Sequence, residues 1–147
     1  MSLKQRLLDD MRTAMKNRDA FRKNILSMAR AAILQVEKDQ RVDLDDQGVI
    51  EVLSKEAKLR KEAIEDFRKG NRQDLVEKNE REIEILQEYL PQQLSEEEIE
   101  EIVKQTINEV GANSIRDMGK VMGAIMPKVK GRADGSVVNR FVKEYLQ

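Results

Sequence analysis

At 147 residues the chain is long enough for one domain or two small ones, and 37% charged residues with 3% aromatics, no Trp and two Pro favour long solvated helices over strand-rich folds. His and Cys are both absent, which excludes disulfides, imidazole or thiolate metal sites, and Ser-His or Cys-His hydrolases, leaving carboxylate, lysine or tyrosine chemistry. The net charge of −1 conceals a gradient: residues 1–94 hold 19 Lys+Arg against 19 Asp+Glu, residues 95–110 one against six, and residues 111–147 seven against three.

Residues 1–10, MSLKQRLLDD, carry acids where a secretory signal needs an apolar run. The longest apolar stretch, residues 121–126 with Gly123 counted in, is too short for a membrane span, so the expectation is a cytoplasmic protein with no membrane segment. From Leu3 the residues Leu7, Leu8, Met11, Ala14 and Met15 recur at helical spacing, and Asp19 offers an N-cap for a second helix. That helix places Phe21, Ile25, Met28, Ala29, Ala32, Ile33 and Val36 on one face, and Asp43, Asp45, Asp46 and Gly48 interrupt the pattern after it. A third helix uses Ile50, Leu53, Ala57, Ile64 and Phe67, with Arg60 and Lys61 where the stripe should continue. Its i,i+4 pairs Glu56 with Arg60, Lys58 with Glu62 and Lys61 with Glu65 support it locally, and Gly70-Asn71 stops it. A fourth carries Leu75, Val76, Asn79, Ile83, Leu86 and Leu90 up to Pro91; Asn79 in this stripe reads as an interhelical hydrogen bonder.

Ser95-Glu-Glu-Glu98 is a capping box, followed by Ile99, Ile102, Val103, Thr106 and Val110 on a fifth helix that Gly111 ends. Ser114 to Asp117 repeats a capping-box-like start for a sixth stripe of Ile115, Met118, Met122, Ile125 and Val129. After the loop 130–134 a seventh helix turns Val138, Phe141, Val142 and Tyr145 inward. The expected fold is therefore all-α: a helical amino-terminal domain, residues 1–93, and a three-helix tail domain, residues 94–147.

Chemistry points to the tail. Gly119 and Gly123 sit four apart inside a helix, each costing about 1 kcal/mol against Ala. Either two helices approach closely there or another backbone, such as a nucleic acid, uses the smooth ridge. Lys120, Lys128, Lys130, Arg132, Arg140 and Lys143 can form a basic surface around it. No aromatic is interleaved in the loop, so contact would be to the phosphates and shape of folded RNA rather than to bases, and no DNA is expected. Asp134, as N-cap of the last helix, argues against a phosphate site there. The acids Glu96, Glu97, Glu98, Glu100 and Glu101 are explained by capping and solubility, no nucleotide loop is present, and neither a catalytic residue, a metal ligand nor a cofactor is assigned.

Residues 119–134 with 137–142, VVNRFV, resemble the tail motif shared by the B subunit of glutamine-dependent aspartyl/glutamyl-tRNA amidotransferase and the YqeY family. The resemblance continues upstream through residues 60–72, RKEAIEDFRKGNR, residues 84–94, EILQEYLPQQL, and the acidic residues 95–99, and so covers essentially the whole chain as a stand-alone YqeY-like protein. It implies a helical domain joined to a tail that engages tRNA in the amidotransferase, whereas the amidase machinery and the phosphoryl-transfer cradle have no matching motif. By resemblance the tail positions are Gly119, Lys120, Gly123, Lys128, Lys130, Gly131, Arg132 and Asn139. The implied function is a tRNA-binding or tRNA-enzyme accessory module without catalytic activity of its own. Two alternatives stand beside it: an adaptor that docks a protein through exposed charges such as Arg60, Lys61 and Arg68, and a component of a glutamine-dependent carbon–nitrogen ligase.

Overall fold

A computed structural model describes all 147 residues: seven α-helices and a 3-10 turn with no strand, so the chain is all-α as expected. Spatial contacts divide it into two compact units, Met1–Leu90 and Pro91–Gln147.

The first unit contains α1 (Leu3–Lys16), α2 (Ala20–Gln40), α3 (Asp46–Lys69) and α4 (Gln73–Gln87). Ser2, Asp19 and Asp45 cap the first three, their side-chain oxygens accepting from the amides of Gln5, Arg22 and Gly48. Leu7, Leu26, Val49, Leu53 and Leu86 form the centre of the core, and a smaller cluster of Ile64, Val76 and Ile83 joins α3 to α4. Between these clusters along α3 lies Arg60, whose side chain is only 11% exposed. Its Nε meets Glu82 of α4 at 3.1 Å and its Nη1 meets Glu56 at 2.9 Å, which explains why a charge interrupts the apolar stripe. The adaptor reading counted Arg60 among its exposed charges and loses it here.

Several local expectations are corrected. Met15 and Met28 face outward, 55% and 54% exposed, while Leu26 and Val49 take the core positions. Asn79 does not bridge helices; its amide donates to the Leu75 carbonyl one turn back, at 2.8 Å. The stop at Gly70-Asn71 is where α3 does end, with Gly70 as its C-cap and Asn71, φ 56°, in the left-handed conformation. Of the three i,i+4 pairs on α3, Glu56 with Arg60 forms an ion pair, whereas Glu65 is held by Arg68.

The second unit contains α5 (Glu96–Val110), the 3-10 turn Ile115–Asp117, α6 (Met118–Val129) and α7 (Gly135–Leu146). Both halves of the Ser95–Glu98 capping box form, and Gly111 ends α5 at φ 70°. Val103, Val121, Ile125, Val129, Val138 and Val142 are fully buried at its centre. Tyr145 and Ile115 are instead exposed by 40% and 47%, and Leu146 fills the inward position at the end of α7.

Candidate nucleic-acid interface

The two glycines of α6 decide between close packing and an open ridge. A methyl group built on Gly119 or Gly123 meets nothing within 4 Å, so no other helix of the second unit packs against them. Gly119, Gly123 and the partly exposed Met126 lie along one line of α6, because intervals of four and three return to the same helix face. Pro127 adds a second feature to this line. It sits inside the last turn of α6 and has no amide hydrogen to give the carbonyl of Gly123, so that acceptor is left to groups outside the helix. Lys120 is exposed beside the ridge, and Arg116, one turn earlier in the chain, is exposed too. Neither makes an ion pair or a hydrogen bond to this chain. Sequence reasoning passed over Arg116, although its place four residues before Lys120 was the available signal.

The remaining cations are arranged differently from a single free basic surface. Lys128 donates to the Thr106 hydroxyl at 3.0 Å and to Glu109 at 2.8 Å, so it is tied to α5. Arg140 lies over the Phe141 ring and donates to Glu96 at 3.3 Å. Arg132 donates to the Gln92 carbonyl at 3.2 Å. Lys130 is exposed where α6 ends, and Lys143 is exposed on α7. Asn139 is half-buried, and its Oδ1 is buried without a hydrogen-bond partner. Asp134 caps α7 by accepting from the Ser136 amide at 3.0 Å, as its sequence position suggested.

The loop after α6 is held by a segment that sequence reasoning left unassigned. Gly131 turns at φ 74°, and its carbonyl accepts from the Gln93 side chain at 2.8 Å. The Leu94 amide donates to the Arg132 carbonyl at 2.9 Å. Residues 92–94 therefore staple the loop and set the direction in which Arg132 leaves it. The acids of α5 are engaged as well: Glu98 in the capping box, Glu96 with Arg140, and Glu100 with the Tyr145 hydroxyl, which it holds protonated above its ordinary range. No group of three or more acidic side chains converges in a way that could hold a metal ion, and no helix is long and apolar enough to cross a membrane.

Comparison with known proteins matches residues 4–146 to the family model described as Yqey-like protein. The chain is 31% identical, over 96% of its length and 79% of the relative's, to "Altered inheritance of mitochondria protein 41, mitochondrial" of Pyrenophora tritici-repentis. The protein of the same name from Lachancea thermotolerans is 39% identical over 71% of this chain and 57% of its own length. A glutamyl-tRNA(Gln) amidotransferase subunit from Methanobrevibacter smithii is 43% identical over 37% of this chain, which is 9% of that relative. The mitochondrial names overturn the cytoplasmic expectation. Its physical basis was too narrow: a missing apolar run speaks against a secretory signal, whereas organellar transit segments are amphipathic and Arg-rich and leave no mark on hydropathy.

Proposed function

Because the chain belongs to the YqeY-like family, we propose that it is a non-catalytic accessory module of tRNA-dependent amidotransferase machinery and engages the backbone of folded tRNA along the α6 ridge. The observation that carries the reading is the open Gly119–Gly123 line, exposed beside Lys120 and Arg116. Without side chains, that line admits a sugar–phosphate backbone to within contact of the helix. The Gly123 carbonyl, lacking a donor at Pro127, is an acceptor for a ribose 2′-hydroxyl, the group that distinguishes RNA from DNA. Lys120 and Arg116 supply positive charge beside the ridge, Lys143 lies on α7, and Lys128, Lys130, Arg132 and Arg140 reinforce the field while each already holds a partner in this chain. The similarity to an amidotransferase polypeptide named for glutamyl-tRNA(Gln) supports the choice of RNA, although this chain spans only a small part of that polypeptide.

The test is a salt series of tRNA binding by fluorescence anisotropy. Neutralising about three phosphates gives a slope of log K against log salt of about −2.7, or somewhat shallower. Replacing Arg116 and Lys120 with Ala lowers the slope by about two if each covers one phosphate. No binding by the natural chain at low salt, or a slope that the double variant leaves unchanged, refutes the reading.

A further inference from the structure

The outward face of α2 differs from the rest of the surface. In a chain that is 37% charged, Lys38 and Asp39 follow only in its last turn, and its exposed positions from residue 20 to residue 35, among them Ala20, Asn24, Ser27, Met28, Ala31 and Leu34, carry no charge. Their spacing places them on one face about 21 Å long. Leu34 is 65% exposed and Met28 54%. Ser27 and Ala31 form a crest between two grooves. The groove shared with α1 has a volume of about 330 Å³ and an apolar floor of Leu7 and Ile33; the one shared with α4 has about 440 Å³, with Phe21 and Ile25.

Charge sits at the margins, and what is unsatisfied there is positive. Arg30 lines the first groove, and its guanidinium touches only the Met11 sulfur, at 3.9 Å. Lys78 lines the second groove without a counter-ion, and Arg81 beside it covers the Phe21 ring at 4.1 Å. The carboxylates in the same grooves are already held: Glu37 by Lys4 at 2.7 Å and the Leu44 amide at 2.8 Å, Glu82 by Arg60 at 3.1 Å.

We propose that this face is the docking site for an acidic amphipathic helix of a partner protein. Its apolar side chains seat in the two grooves astride the Ser27–Ala31 crest, and its carboxylates meet Arg30 on one side and Lys78 and Arg81 on the other. The length of the face matches about four turns of such a helix. RNA does not fit, because the centre of the face carries no cation to neutralise a phosphate and contact there would leave Met28 and Leu34 in water. A lipid leaflet does not enter concave grooves. A second copy has no matching element, since the acidic helix α5 turns Ile99 and Val103 into its own core.

The experiment is selection of a phage-displayed library of helical peptides, randomised over apolar, acidic and basic residues, on the full chain. Retained peptides should repeat Leu, Phe or Met at i, i+3 or i+4, and i+7, flanked by Asp or Glu. A synthesised winner should lose about tenfold or more in affinity on Ala31→Glu, on Arg30→Glu with Lys78→Glu, and on replacing its own acids with Lys. Leu34→Ala, which introduces no charge, should weaken it less, and unchanged melting of all variants excludes loss of fold. The proposal is overturned by a basic consensus, by winners indifferent to Ala31→Glu, or by a library in which nothing prefers the natural chain to that variant. Displacement of the winner by phosphatidylserine vesicles or by tRNA would assign the face to lipid or RNA and overturn it equally.

Discussion

Replacing Gly123 with Ala separates the two uses of glycine in α6. A glycine that lets helices approach closely cannot take a methyl group without a clash, and the substitution then destabilises by about 1–3 kcal/mol. At Gly123 nothing lies within 4 Å of the added carbon. The residue also lies in the interior of a helix, where Ala is favoured over Gly by about 0.8–1.0 kcal/mol. With no steric term to offset it, the tail unit should gain about 1 kcal/mol, which for a domain this small raises the melting temperature by about 4–8 °C. Differential scanning calorimetry measures the shift, and hydrogen exchange of the α6 amides assigns it to the right unit. The same methyl group stands on the proposed contact line, so tRNA affinity should fall by about threefold or more, the equivalent of some 0.7 kcal/mol. Destabilisation by 1 kcal/mol would refute the open ridge. A gain in stability with unaltered tRNA affinity would keep the ridge open and remove RNA from it.

Glu82→Ala leaves Arg60 buried with Glu56 alone and should cost about 3 kcal/mol in urea unfolding, whereas Arg60→Met with Glu82→Leu should be nearly neutral; equal losses would show that the pair itself stabilises. Tyr89 is held protonated by burial first and by its hydrogen bond to Asp10 second, well above the ordinary phenol value of 10.0. Its contribution is complete below pH 10 and is lost as pH rises above that toward the folded value, so stability should decline in that range and Tyr89→Phe should flatten most of the decline. An undiminished slope in the variant would assign the effect elsewhere. Gln93→Ala removes the donor to the Gly131 carbonyl and should cost about 1 kcal/mol, with faster amide exchange at Leu94 and Ala133; unchanged protection there would mean that the loop holds itself.

Much of the fold was legible because helix ends are local chemistry. A side chain that reaches an amide two or three residues ahead needs no tertiary partner, so Asp19, Ser95 and Asp134 act as caps where the sequence suggested, and Gly111 ends its helix. The glycine ridge was legible as a pair of alternatives only. Four-residue spacing shows that two glycines share a face, but whether a neighbour covers that face depends on where the other helices lie. The basic surface was legible as composition and not as arrangement. Lys128 and Arg140 meet Glu109 and Glu96, 19 and 44 residues away in the chain, and no local pattern announces such partners.

Sequence alone determined the helical class, the placement of most helices and the family, since periodicity, caps and motif residues act over a few positions. Tertiary structure decided which side of each stripe is covered. An apolar stripe spans a wide arc of a helix, and the neighbour that packs against it selects part of that arc, so Leu26 and Val49 are buried while Met15, Met28 and Tyr145 remain in solvent. The same long-range placement captured Arg60 beneath the surface, left Gly119 and Gly123 open, and kept the outward face of α2 uncovered.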